Sequence, residues 1–127
     1  MRIVVCSGAR AIACSMLLFA SGIAVPGATE GAPESRILGN WLTEGHEGII
    51  EIIQRPDGRF DGRIVGGDDI DRPDSHNPDP RKRDRMLRGG NILEGLRYEG
   101  HDRWSGGTVY DPDSGRIYRC HIDLTAP

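Results

Sequence analysis

Cysteine and aromatic side chains are scarce in this chain: three Cys, two Trp, three Tyr and two Phe among 127 residues. So little cysteine excludes a disulfide-stapled scaffold. With so few aromatics, Trp41, Phe60, Trp104, Tyr110 and Tyr118 have to serve whatever interior the fold makes. Beyond residue 24 no apolar run approaches the roughly 20 residues that cross a bilayer as a helix, and no segment repeats with a helical period. An integral membrane helix and a helical bundle are therefore excluded for that part. Motifs of chemistry are missing too. His46, His76, His101 and His121 are scattered, with no pair at the i, i+2 or i, i+4 spacing of a local metal site. No nucleophile elbow, Ser/His/Asp order or phosphate-cradling glycine loop occurs. The expectation is a protein that is not an enzyme and uses neither metal nor cofactor.

What is present begins with a leader. Residues 1–24 carry Arg2 and Arg10 as their only charges, then the apolar stretch Ala11–Ala24, with Gly22 and Ala24 small at the −3 and −1 positions of a cut. That is the layout of a secretory signal peptide, and it implies a periplasmic or secreted protein. A retained membrane anchor is disfavoured by the shortness of the apolar run. A lipoprotein cut at Cys14 is disfavoured because the apolar region continues past it. Cleavage after Ala24 removes two of sixteen basic residues and none of nineteen acidic ones, leaving a formal charge of −5. Such an acidic chain argues against nucleic acid and anionic lipid surfaces as default partners. Cys6 and Cys14 leave with the leader, so Cys120 has no intramolecular disulfide partner.

Residues 25–36 are rich in proline, glycine and small polar side chains and read as a flexible linker, with the folded domain spanning 37–127. Short strands and turn signals follow. Ile37–Thr43 is a short strand with Trp41 as its one large side chain. Gly48–Gln54 and Arg59–Gly66 flank Arg55-Pro56-Asp57-Gly58, whose residue types suit a tight turn. Phe60 and Ile64 fall on one face of the second strand, Asp61 and Arg63 on the other, wet face. Both faces of the first strand are largely apolar. Residues 67–85 hold three prolines and mixed charge with almost nothing to bury, which predicts a functional lid or a mobile loop. Gly90–Arg97 is a weak strand interrupted by Gly95.

The best-defined stretch is Trp104–Leu124. Gly106 and Gly107 predict a bulge or a close backbone approach, and Asp111–Gly115 a turn. Beyond it Tyr118, Cys120, Ile122 and Leu124 alternate with Arg119, His121 and Asp123. Cys120 thus falls on the apolar face, where it acts as a small hydrophobe with a raised pKa, not as a nucleophile. Five or six short strands separated by turns point to an all-β antiparallel meander.

These segments resemble a bacterial secreted family catalogued as domain of unknown function 2147. The resemblance runs through Gly39-Asn40-Trp41, Ile50-Glu51-Ile52, Gly58–Ile64, Asn77-Pro78-Asp79-Pro80 and Ile92–Leu96, and is strongest over Trp104–Cys120. It implies a small lipocalin-like β-barrel with Ile50 and Ile52 facing inward. Members of the family continue past the strand ending near Leu124 with two further strands, one basic-glycine-aromatic and one Gly-Arg-Thr…Trp. This sequence ends at Thr125-Ala126-Pro127. The resemblance therefore implies a barrel incomplete at its C-terminus, whether from a truncated or frameshifted gene or completed by a partner strand. It also implies an open edge through which the sheet self-associates.

In such a barrel Trp41, Ile50, Ile52, Phe60, Ile64, Trp104, Tyr110, Tyr118, Cys120 and Ile122 either line a ligand cavity or fill a core. Asp68, Asp69, Asp71, Asp74 and Asp79 are acidic but lack the spacing of a calcium loop, so a solvated loop is expected. The basic run Arg81-Lys82-Arg83 with Arg85 and Arg88 either holds an acidic partner or pairs with that loop. The function expected from the resemblance is binding of a small apolar or amphipathic ligand in the barrel interior. The alternative is a protein-interaction or envelope-associated structural module working through residues 67–85 or the open edge.

Overall fold

The alternation of apolar and polar residues becomes strands throughout a computed structural model of the chain, which describes residues 3–5, 12–14, 31–43 and 48–124. The expected cleavage point after Ala24, the turn at Gly45, and residues 125–127 lie outside these. Ahead of the main sheet, β1 (Ile3–Val5) and β2 (Ile12–Cys14) pair antiparallel as a separate ribbon. The main sheet contains β3 (Gly39–Leu42), β4 (Gly48–Gln54), β5 (Phe60–Gly67), β6 (Asn91–Gly100), β7 (Arg103–Asp111) and β8 (Arg116–Asp123). They pair antiparallel in chain order. The architecture is the all-β antiparallel meander that the sequence predicts. Among the described residues β3 and β8 each hydrogen-bond a single neighbour, so the sheet is not closed, and β1 lies beside β8.

One face of the sheet makes the main core. Trp41, Ile50, Ile52, Phe60, Leu93, Leu96, Trp104, Cys120 and Ile122 are all buried there. Ile50 and Ile52 face inward as the family resemblance implies, whereas Ile53 on the opposite face stays exposed. Each fully buried aliphatic or Phe side chain contributes about 1.5–3 kcal/mol by leaving water. Phe60 meets Trp104 edge-on with ring centroids 6.4 Å apart, and Tyr98 lies tilted over Trp104 at 4.9 Å.

The segment read as a linker ends in ordered structure. Pro33–Ile37 forms a 3-10 turn, and its last residue, Ile37, is wholly buried. The reason is a local anchor. The Trp41 indole N–H donates to the Ile37 carbonyl at 2.7 Å, and Arg36 pairs with Asp102 in the β6–β7 turn. The Asp102 carbonyl in turn accepts from Leu124 N at 2.9 Å. One end of the core is thereby closed by three distant pieces of chain.

Asp61, expected on a wet face, is buried. Phe60 pairs with Leu96 and Gly62 with Leu93, so two residues of β6, Glu94 and Gly95, oppose Asp61 alone in β5. That bulge leaves the Gly95 N–H to be satisfied from outside the ladder. The Asp61 carboxylate accepts it at 2.9 Å, with Arg55 3.8 Å away. A second bulge lies in β7, between Trp104, opposite Ile122, and Gly107, opposite Cys120. A Cβ at Gly107 would stand 2.6 Å from the Glu94 carbonyl oxygen and 2.9 Å from Leu96 Cγ, which is the close approach the glycine pair predicts.

Candidate functional site: a cleft beneath the long loop

Residues 67–85, expected to be a lid or a mobile loop with nothing to bury, are folded back on themselves and docked on the sheet. Asp74 N donates to the Arg85 carbonyl at 2.8 Å, Leu87 N to Arg72, and Arg88 N to Ile70, while Pro73 bridges Met86. The returning chain is then tied to β5 by Gly89 N to the Ile64 carbonyl (2.7 Å) and Ile64 N to the Gly90 carbonyl (3.0 Å). Asp79 caps the short 3-10 turn Pro80–Lys82 by accepting from Arg81 N. Apolar burial drives the docking. Ile70 and Leu87 pack with Ile64 into a second small core, against which Ile92 also rests.

Polar contacts then hold the loop to the far hairpin. Asp74 is only 8% exposed and accepts from the Tyr110 hydroxyl and from Asn77 Nδ2, both at 2.6 Å. Burial first, and then the hydrogen bond to Asp74, keep the Tyr110 phenol protonated well above the ordinary phenol range. Arg72 reaches Asp113 at 2.5 Å. Arg88 grips Asp71 through two bonds of 2.7 and 2.8 Å, which hold that carboxyl below the usual carboxylate range. Gly115 in the β7–β8 turn touches His76 so closely that a Cβ would overlap the His76 carbonyl oxygen.

Between loop and sheet lies a cleft of about 700 Å³. The register opposes Leu93 to Val109, Glu94 to Thr108, and Tyr110 to Ile117. Alternation therefore sets Glu94, Thr108, Tyr110 and Ile117 on the face away from the main core, and these form the floor. The wall comes from Asn77–Asp79, Lys82 and Arg85–Gly90, with Ile64 and Ile92 at the base. Two large apolar side chains line the cleft yet remain exposed, Met86 at 48% and Ile117 at 59%.

The ten residues singled out from sequence are thus divided. Trp41, Ile50, Ile52, Phe60, Trp104 and Ile122 are packed core. Ile64 and Tyr110 line the cleft. Cys120 is buried in the core and borders a second recess of about 530 Å³ along the β7 bulge, shared with Arg103, Arg119 and His121. Burial pushes the Cys120 thiol up to about 11. Tyr118 is half-buried opposite Val109 and lines neither space. The apolar lining from Met86, Leu87, Ile92 and Ile117 was not singled out from sequence. Ile117 carried a weak signal, as an apolar residue out of phase with Tyr118, Cys120 and Ile122.

The acidic and basic runs interlock only in part. Arg81 takes Asp79, Arg88 takes Asp71, and Arg72 takes Asp69 and Asp113. Among the described residues, Lys82 and Arg85 carry no ion pair, and both line the cleft. Also among these residues, no three His, Cys, Asp or Glu side chains converge as a metal site would require, and no helix is long and apolar enough to cross a membrane.

The family model described as "Uncharacterized protein conserved in bacteria (DUF2147)" matches residues 39–127. The chain belongs to this family. Its fold is similar to that of a solved protein from Helicobacter pylori, described as "Protein HP1028 from the human pathogen Helicobacter pylori belongs to the lipocalin family". The TM-score is 0.57 at 23% identity, over 62% of this chain and 55% of that one. The likeness establishes a lipocalin-like fold, and the chain spans little more than half the length of that relative. No curated protein matches the chain.

Proposed function

We propose that this DUF2147 member is an exported binding protein for a small apolar or amphipathic molecule, and that the molecule sits in the cleft beneath the long loop. The observation that carries this reading is the cleft itself. At about 700 Å³ it falls within the size of small-molecule sites, roughly 300–1,000 Å³. Its walls are preformed, because the buried Asp74–Tyr110 bond and the Ile64–Ile70–Leu87 cluster fix the loop. The interior of the sheet is a poorer host, since Trp41, Phe60 and Trp104 already fill it with no exposed surface. Export is supported by the leader's charge and small-residue pattern. The role is binding and not catalysis.

Native mass spectrometry of protein purified from the periplasm tests the reading. A co-purifying small molecule is expected, and its loss should change the methyl resonance of Met86. Ligand-free protein whose Met86 signal ignores a panel of apolar and amphipathic molecules would refute it.

A second reading is supported by a different observation: among the described residues β8 hydrogen-bonds only β7, and β1, which lies beside it, belongs to the segment that export would remove. An unpaired edge is a template for strand addition. Size-exclusion chromatography would then show self-association, and a clean monomer across the accessible concentration range would count against it.

A further inference from the structure

Three features of the cleft bear on what kind of molecule it takes, and the inference from them rests on the small-ligand reading above. The first is charge that is not spent. Lys82 and Arg85 sit three residues apart at the 3-10 turn and its exit, exposed, on the cleft wall, and without ion pairs among the described residues. The second is that most acids of the lining are already engaged. Asp74 accepts from Tyr110 and Asn77, and Asp79 accepts three bonds from Arg81 at 3.0–3.1 Å. Glu94 on the floor is the one lining carboxylate with no partner among the described residues. Arg81 holds Asp79 directly, and Lys82 and Arg85 act on that carboxylate only through space, so neither cation has a bonded partner among the described residues. The third is the exposure of Met86 and Ile117. Large apolar side chains left in water beside a concave surface mark a place where something apolar docks.

We propose that the cleft binds a single-chain anionic amphiphile, with its acidic head between Lys82 and Arg85 and its hydrocarbon tail along Ile92, Met86, Leu87 and Ile117. A lysine and an arginine on exposed stems recognise a carboxylate or sulfate mainly as a point charge and a fork of donors. The tail supplies the larger share, because each methylene withdrawn from water strengthens binding by up to about fourfold. Glu94 discriminates, since an anionic head placed on the floor instead of the wall would meet its carboxylate.

The full chain, with isotope-labelled methionine methyls, is titrated with decanoate, decanol and decyltrimethylammonium below their aggregation concentrations. Decanoate should shift the Met86 signal and bind more tightly than decanol by a factor on the order of ten at low salt. That preference should vanish at about 1 M salt, where charges are screened beyond about 3 Å. It should also vanish in Lys82→Ala/Arg85→Ala, which changes only exposed side chains and should still bind decanol. Ile117→Asp should weaken both decanoate and decanol. Decanol binding as tightly as decanoate, or the ammonium more tightly than either, would overturn the head-group assignment and leave the small-ligand reading standing. Failure of all three to move Met86 would overturn both.

Discussion

The docking of the long loop on the β7–β8 turn can be tested at Gly115, with Gly58 as its control. Both glycines hold left-handed backbone, at φ +69 and +84. Around Gly58 a Cβ would meet nothing within 4 Å, so Gly58→Ala suffers the conformational penalty alone. That penalty is about 1 kcal/mol, or roughly 4–8 °C in Tm for a domain of this size. Gly115→Ala carries the same penalty and in addition drives its methyl into the His76 carbonyl, a backbone group with no rotamer to yield. Relief requires the loop to lift. Lifting breaks the 2.6 Å Tyr110–Asp74 bond, worth about 1.5–3 kcal/mol as a bond to a charged group. It also breaks the exposed Arg72–Asp113 pair, worth at most about 1 kcal/mol. The two variants should therefore differ by about 1.5–4 kcal/mol in thermal or chemical unfolding. Trypsin supplies a local readout, since Arg81, Lys82, Arg83 and Arg85 all lie in the segment that lifts. Cleavage there should accelerate about tenfold or more in Gly115→Ala and little in Gly58→Ala. Equal melting temperatures and equal cleavage rates would refute the docked loop.

Three further outcomes are expected. Because its folded pKa is raised, the Tyr110 phenol stabilises fully below the ordinary phenol pKa near 10, and this stabilisation is lost as pH rises beyond it. In alkaline ultraviolet titration Tyr110→Phe should lack the last-ionising tyrosine of the wild type; an unchanged curve would show that Tyr110 is not the sheltered one. Cys120, pushed up to about 11 by burial, should react with an aromatic disulfide at pH 8 far more slowly in the folded than in the unfolded Cys6→Ser/Cys14→Ser chain. Equal rates would place the thiol in solvent. His101 and Asp102 both hold positive φ in a two-residue hairpin turn. His101→Asn should stabilise the fold by about 0.5–1 kcal/mol in denaturant titration, because Asn tolerates that conformation better. A loss would show that the His101 ring makes contacts of its own.

Where side chains alternate within one strand, the sequence was legible. Phe60 and Ile64, or Cys120, Ile122 and Leu124, declare a buried face through local period alone. Asp61 was misplaced because a bulge in another strand presents the Gly95 N–H to it, and nothing near Asp61 in sequence carries that information. The long loop was misread for a similar reason. Its composition is that of a solvated segment, yet Ile70 finds Ile64 and Leu87, while Asp74 finds Tyr110, 36 residues away. The cleft inherits this illegibility. Its lining joins loop residues to the outer faces of β6, β7 and β8, and only the register tells which residues those are.

By itself, then, the sequence determined the strands and their meander, because short-range periodicity and turn chemistry are written residue by residue, and its longer motifs carried the family. The hairpin Trp104–Leu124 is the clearest case, with its bulge glycines, its turn and its buried Cys120 all readable locally. Tertiary structure alone decided that residues 67–85 are docked instead of free. It also decided that the open space lies outside the main core and that, among the described residues, Lys82 and Arg85 form no ion pair while Arg81 and Arg88 do. Those outcomes depend on which distant side chains arrive within bonding distance, and only the closed network of contacts settles that.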